Sequence, residues 1–315
     1  MVPHTLVPIG QSYARVAYRQ GEPALDVLSE ALRRTGRVSE LHCINYAVDG
    51  SAVIEENDGG NGYWTEPGGP GPLLLRVQPL TTRGLVVCSI GEQDAGMTRN
   101  DAKSFVVKDA IRSALWRGTL ERLGARCPIW VDLLGPRKSW LEHHEYRMRD
   151  RLIELCEEEK GVFRGAEKYP LELNSTDHPT TEGNIHMAAQ TGRKIAAWLN
   201  GEPELCGPRI AVIEDTSSRV EISIDAGGKD FIRPPEPDYF AAFDANDKPI
   251  PLTDATWCGN RLSFARAAPP AKLCYPARTG RPVDISRIIR HADPTDPLFP
   301  GEPGLVLESM ITHTF

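Results

Sequence analysis

Short apolar runs at residues 5–9, 41–46, 84–90 and 128–134 predict four strands, and between them the apolar spacing changes to that of helices. Leu25, Leu28 and Leu32 fall on one helical face, and Val107, Ile111, Ala114, Leu115 and Gly118 fall on another. Two more helices are expected over 142–158 and 182–200. The second carries Ile185, Ala188, Gly192, Ile195 and Leu199 on its buried side and stops at Gly201. Strands alternating with helices up to residue 200 predict a parallel sheet covered on both faces, a three-layer α/β/α sandwich of the flavodoxin-like kind. Residues 58–72 are dominated by Gly and Pro and keep no hydrophobic period, so a long loop is expected there, with Tyr63 and Trp64 as an aromatic platform.

Around residues 200–209 the character changes. Val220, Ile222 and Ile224 alternate with polar residues, and 239–243, 261–264 and 273–275 read as further short strands between turn clusters. The expectation is an α/β domain over 1–203 followed by a β-rich, sandwich-like domain over 204–315. The proline-rich stretch 294–303 is expected to wrap irregularly over the surface.

With 315 residues and 40% hydrophobic content, the chain can bury a large core. A formal net charge of -7 argues against a nucleic-acid partner, which needs clustered Lys and Arg. No run of 18 apolar residues predicts a membrane span, and the first residues show no basic leader followed by an apolar stretch, so a cytoplasmic setting is the expectation. The seven cysteines, Cys43, Cys88, Cys127, Cys156, Cys206, Cys258 and Cys274, include no Cys-x-x-Cys pair, which excludes zinc ribbons and dithiol redox motifs and predicts reduced core thiols. His143 and His144 are adjacent on a helix and lack the i, i+4 spacing of a zinc pair, so no metal is expected. Gly59, Gly60 and Gly62 lack the strand-to-helix setting of a dinucleotide fingerprint and no Walker pattern occurs, so no cofactor is expected either.

Candidate chemistry begins at Ser12, placed in Gly10-Gln11-Ser12 at the end of the first strand, where a hydroxyl can act as a nucleophile. Three later segments also sit at predicted strand ends or just before a helix: Asp49-Gly50-Ser51, Gly91-Glu92-Gln93-Asp94, and Asp177-His178-Pro179-Thr180. In an open parallel sheet, carboxyl ends of strands converge on one crevice, so the four segments can meet. Gly10-Gln11-Ser12-Tyr13-Ala14 imitates the Gly-x-Ser-x-Gly elbow of α/β-hydrolases, but that elbow follows several strands and here only one precedes the serine.

On these four segments, in this order, residues 5–200 resemble the SGNH (GDSL-type) hydrolases, and within them the sialate O-acetylesterase and carbohydrate acetylesterase branch. The resemblance implies a serine esterase that removes O-acetyl groups from a carbohydrate. Ser12 would be the nucleophile, His178 the base, and Gly50 and Gln93 the oxyanion donors. Two positions depart from the family pattern. Gln93 stands where an Asn is usual, with Ile90 before the glycine where the acetylesterase branch has a Gln, and the acid expected two or three residues before the histidine is replaced by Ser175 and Thr176, with Asp177 directly adjacent. Either Asp177 is the acid or His178 works in a dyad with a backbone carbonyl. Glu92 and Asp94 are expected as structural carboxylates, and His186 as a helix-face or pocket-rim residue. A second reading is a carbohydrate-binding or tail-fibre-like module whose esterase site has decayed.

Overall fold

The computed structural model describes every residue except 98–100, 135–143, 175–177, 203–204, 238, 247, 277–283, 293–296, 301 and 311–312. The first apolar run forms β1 (Val2–Gly10), which leads into a short helix α1 (Ser12–Ala17) and then α2 (Pro23–Arg34), opened by Pro23 where a missing N–H costs nothing. Strand β2 (Val38–Cys43) follows, and then a small insertion of β3 (Ala52–Ile54), β4 (Tyr63–Glu66) and β5 (Gly69–Pro70). Next come β6 (Arg83–Ser89), α3 (Glu92–Met97), α4 (Asp101–Ala110), a π-helical turn Ile111–Trp116, and α5 (Arg117–Leu123). The α/β part ends with β7 (Ile129–Leu133), α6 (His144–Glu158), β8 (Val162–Glu167) and α7 (Thr181–Asn200).

The five long strands pair in parallel in the order β2-β1-β6-β7-β8. The strands β1, β6, β7 and β8 bury both faces, as a doubly covered sheet requires, whereas the edge strand β2 is largely exposed. Val7, Ile9, Val86, Cys88, Ile129 and Val131 meet α4, α5 and α6 on one side, and Leu6, Leu85, Val87 and Trp130 meet α1, α2 and α7 on the other. The predicted three-layer sandwich is therefore the architecture. The fifth strand, β8, was not foreseen, because Arg164 interrupts its apolar run; the guanidinium is instead buried against Glu157 and Glu308.

The stretch 58–72 is not a structureless loop. Tyr63 and Thr65 pair in parallel with Ala52 and Ile54, and Thr65 and Glu66 pair with Pro70 and Gly69, so Pro67 and Gly68 form the turn of a small hairpin. Its Trp64 is no exposed platform: the ring is 0% exposed, in the same core as Val53 and Leu74.

Beyond residue 204 the chain forms antiparallel sheets. Leu252–Cys258, Arg261–Arg266, Arg219–Asp225 and Arg209–Asp215 make one in that order, and Pro249–Ile250, Ala241–Phe243, Lys272–Cys274 and His313–Thr314 make a second. Val220, Ile222, Ile224, Leu262 and Phe264 of the first share a core with Ala242, Ile250 and Leu273 of the second, and Tyr169 from the end of β8 joins it. Tyr169 Oη donates to the Leu307 carbonyl at 2.8 Å, and Glu308 accepts from Arg209 at 2.6 Å and from Lys194 at 3.3 Å. Burial disfavours the Glu308 charge, yet Lys194, Arg209 and Arg164 hold its carboxyl below the ordinary value.

Within 294–303, Phe299 is pinned in a core rather than draped over the surface. Phe299 is 1% exposed and packs between α2 and α7 beside Ala31 and Ala189. The space for its ring is the missing side chain of Gly192, where an added Cβ would lie 2.4 Å from Phe299 Cζ and 2.8 Å from Leu28 Cδ1. Gly to Ala inside an exposed helix ordinarily stabilises by about 0.5–1 kcal/mol. Here Gly192→Ala is expected to have the opposite sign, costing about 1–3 kcal/mol through overpacking, read as a lower urea midpoint at unchanged slope.

Among the described residues the cysteines are free thiols, with Cys88, Cys127 and Cys274 buried, as the sequence predicts. Burial pushes the Cys43 and Cys88 thiols up to about 12. No helix among the described residues is long and apolar enough to cross a membrane.

Candidate functional site

The sheet's order reverses between β1 and β6, and Gly10 and Ser89 are register partners at the carboxyl ends of these two strands. Gly10 has φ +108°, and the Gln11 N–H, one residue on, donates to the Ser89 carbonyl at 2.7 Å. This tight turn sets Ser12 as the first residue of α1, where backbone N–H groups have no intrahelical acceptor. Ser12 is 4% exposed, so its side chain is enclosed at the carboxyl end of the sheet rather than standing on the outer surface.

The second segment reaches this point by running along β1 past the end of β2. The N–H groups of Ile44, Tyr46 and Val48 donate in turn to the carbonyls of Leu6, Pro8 and Gly10 at 3.0, 3.0 and 2.9 Å. Asn45 fastens the stretch to α1 by donating to the Ala14 and Arg15 carbonyls, both at 3.2 Å. Ser51 then closes the junction: its hydroxyl donates to the Gly10 carbonyl at 3.0 Å and accepts from Trp64 Nε1 at 2.9 Å, while the Gln11 side-chain amide donates to the Ser51 carbonyl. Gly50, at φ +63°, lies at the turn just before this clamp.

The third segment continues β6 into α3. Gln93 Nε2 donates to the Asn57 carbonyl at 3.3 Å. Asp94 is fully buried and accepts from the Val53 N–H at 2.9 Å and from Asn57 Nδ2 at 2.8 Å. Burial pushes its carboxyl up to about 6 against the pull of those bonds. Glu92 pairs with Lys168, whose Nζ also donates to Ser89 Oγ at 3.1 Å and lies 4.9 Å from the centre of the Tyr13 ring. Both carboxylates of the block thus have structural partners.

In the fourth segment the Asn174 N–H donates to the His178 carbonyl at 2.7 Å, the His178 N–H donates to Asn174 Oδ1 at 3.2 Å, and Thr180 caps α7 by accepting from the Gly183 N–H at 3.1 Å. The His178 imidazole stacks on Tyr13, the residue after Ser12, with ring centroids 6.2 Å apart. Among the described residues no hydrogen bond joins Ser12 Oγ to that imidazole; catalytic bonds of this kind often tighten only with substrate in place. Asp177 lies outside the described residues, as does His143. His186 is buried on α7 with Nδ1 3.5 Å from Glu302, as a helix-face residue would be.

Ser12, Gly50, Gln93 and His178 therefore belong to segments that abut at one end of the sheet. Sequence reasoning missed Asn57 and Lys168 around them, named Ser51 without a role, and placed Trp64 on a platform rather than in the core. Their partners lie far along the chain, and only the polar Ser51 between Gly50 and the apolar Ala52-Val53-Ile54 offered a signal that one side chain there had a buried bond to make.

No protein-family model and no curated protein matches the chain. Among solved structures, a salicylyl-acyltransferase from a tetracycline biosynthetic pathway overlaps 63% of this chain and 55% of its own, with a TM-score of 0.39 and 17% identity. A carbohydrate acetylesterase from Xanthomonas citri aligns over 96% of this chain and 79% of its own, with a TM-score of 0.64 and 13% identity, and the chain is thus similar to it in fold.

Proposed function

We propose that this chain is a serine esterase of the SGNH type that removes O-acetyl groups from a carbohydrate. The observation that carries the reading is the meeting of four strand-end segments, joined by the Val48, Ser51 and Gln11 bonds at Gly10 and by the Tyr13–His178 stack, around one buried serine. The fold shared with a carbohydrate acetylesterase supports it.

In this reading His178 takes the Ser12 proton as Oγ attacks the ester carbonyl, oriented by Asp177 or by a backbone carbonyl. The oxyanion accepts hydrogen bonds from the Ser12 and Gly50 N–H groups and the Gln93 amide. Collapse breaks the bond to the sugar oxygen, which leaves with the proton from His178. A water then attacks the acetyl-serine, gives its proton to His178, and acetate departs as Ser12 regains its hydrogen.

An organophosphonate that labels activated serines tests the proposal. Stoichiometric labelling is expected, mapped to Ser12 by peptide mass and abolished in His178→Ala. An unlabelled protein that still binds glycans would instead fit a carbohydrate-binding module with a decayed site.

A further inference from the structure

Resting on the esterase reading, we propose that Asn57 and Asp94 are positioning residues of the oxyanion hole, which fix the Gln93 amide through the Asn57 carbonyl. A primary amide carries two N–H donors. With one of them on the Asn57 carbonyl at 3.3 Å, the nitrogen end of the Gln93 amide is defined and the second N–H is left to meet a developing oxyanion. The carbonyl that does this is itself held. Asn57 closes the single 3-10 turn Glu55–Asn57, and its Nδ2 donates at 2.8 Å to Asp94, the residue after Gln93. The turn is thereby docked on the start of α3, the element that carries Gln93.

Space filling does not explain this arrangement. Asn57 is 0% exposed directly after two exposed glutamates, Glu55 and Glu56, and its Oδ1 is buried without a partner among the described residues. A buried acceptor without a partner loses its water and gains nothing in return, a cost that an apolar residue of the same size would not incur. Asp94 is equally buried, and its second oxygen takes the Val53 N–H from β3, tying the turn to the insertion strand as well.

The loop that follows makes contact with both candidate donors. Asp58 Oδ1 accepts from the N–H groups of Gly60, Asn61 and Gly62 at 2.9, 3.0 and 2.9 Å, which sets the loop's course. A Cβ on Gly59 would lie 3.2 Å from Gln93 Nε2, and a Cβ on Gly50 would lie 2.7 Å from Asn61 Nδ2. The same five-residue loop thus borders Gln93 on one side and Gly50 on the other.

The test is a double-mutant cycle on aryl acetate hydrolysis, with Asn57→Ala and Asp94→Asn made in both the parent and the Gln93→Ala background. In the parent, each is expected to lower kcat by about 10- to 100-fold, with KM changed by no more than about twofold, because a misplaced donor is lost to the transition state and not to the substrate. In the Gln93→Ala background, each should cost less than about threefold, since their target is already gone. Full multiplicative losses in that background, or parent kcat values within about twofold of wild type, would overturn the proposal. Asp94→Asn preserves shape and Asn57→Ser keeps a polar side chain, so the cycle can be closed even where Asn57→Ala does not fold. Ser12→Ala in the same assay separates the two levels: hydrolysis that survives it removes the esterase reading itself, whereas Ser12-dependent hydrolysis with multiplicative losses removes only the role of Asn57 and Asp94.

Discussion

Ser12→Ala is expected to lower kcat for an aryl acetate by about 10⁴- to 10⁶-fold while leaving the fold intact, the scale on which loss of a serine nucleophile acts elsewhere. The magnitude separates this residue from every other in the crevice. Removing Gln93 as a donor leaves the covalent route open and should cost about 10²- to 10³-fold. Removing the hydroxyl closes the route, because no acyl intermediate forms. The substitution is structurally mild: the hydroxyl is small, and neither the capping of α1 nor the bonds at Gly10 pass through it. A fall in kcat therefore cannot be charged to unfolding, and circular dichroism should overlay the wild type. Retained hydrolysis would show that the acyl acceptor lies elsewhere and would end the esterase reading.

The layering of the fold was legible because both periods of the α/β part are strong. Leu6, Val7 and Ile9 divide between the two faces of the sheet, and Leu25, Leu28 and Leu32 fall on one side of α2. Legibility failed where a local rule met a tertiary partner. Arg164 masks β8, since a charged residue inside a strand is tolerated only when it is paired, and one of its two partners, Glu308, is 144 residues away. In 58–72 the glycines and prolines were read as one loop, whereas Pro67 and Gly68 are the turn of a hairpin whose strand carries the buried Trp64. The tail around Phe299 reads as surface because proline abolishes periodicity, and the cavity that receives its ring is a glycine on a helix more than a hundred residues earlier.

The site was legible in a narrower sense. Strand-end placement identified four segments that could converge, because topology alone brings carboxyl ends together. Topology does not specify what holds them in register. Those bonds run from Ser51, Gln11, Asn57 and Trp64, ordinary polar and aromatic residues whose partners are backbone carbonyls, a hydroxyl or a distant carboxylate. A sequence presents such residues without their partners, so the frame of the site appears only in three dimensions.

Gly10→Ala should be the most damaging single-methyl change near the site, costing more than about 4 kcal/mol or preventing folding outright. Two effects act together. The backbone at Gly10 has φ +108°, which an L side chain adopts only with strain of about 1–3 kcal/mol. The added Cβ would also lie 2.0 Å from the Ser89 carbonyl oxygen and 2.6 Å from its carbon. Those are backbone atoms of the neighbouring central strand, and Ser89 cannot retreat without giving up its bond to the Gln11 N–H and the β1–β6 register. Gly91→Ala is the matched control. It has nearly the same φ, +107°, but its nearest obstacle is a side-chain atom, Met148 Cγ at 3.3 Å, which can give by a few tenths of an ångström, so the backbone strain should dominate. Denaturant midpoints of the two variants measure the difference directly. Equal, small losses would mean that β1 and β6 do not approach this closely, and the crevice in which Ser12 is placed would then have a different floor.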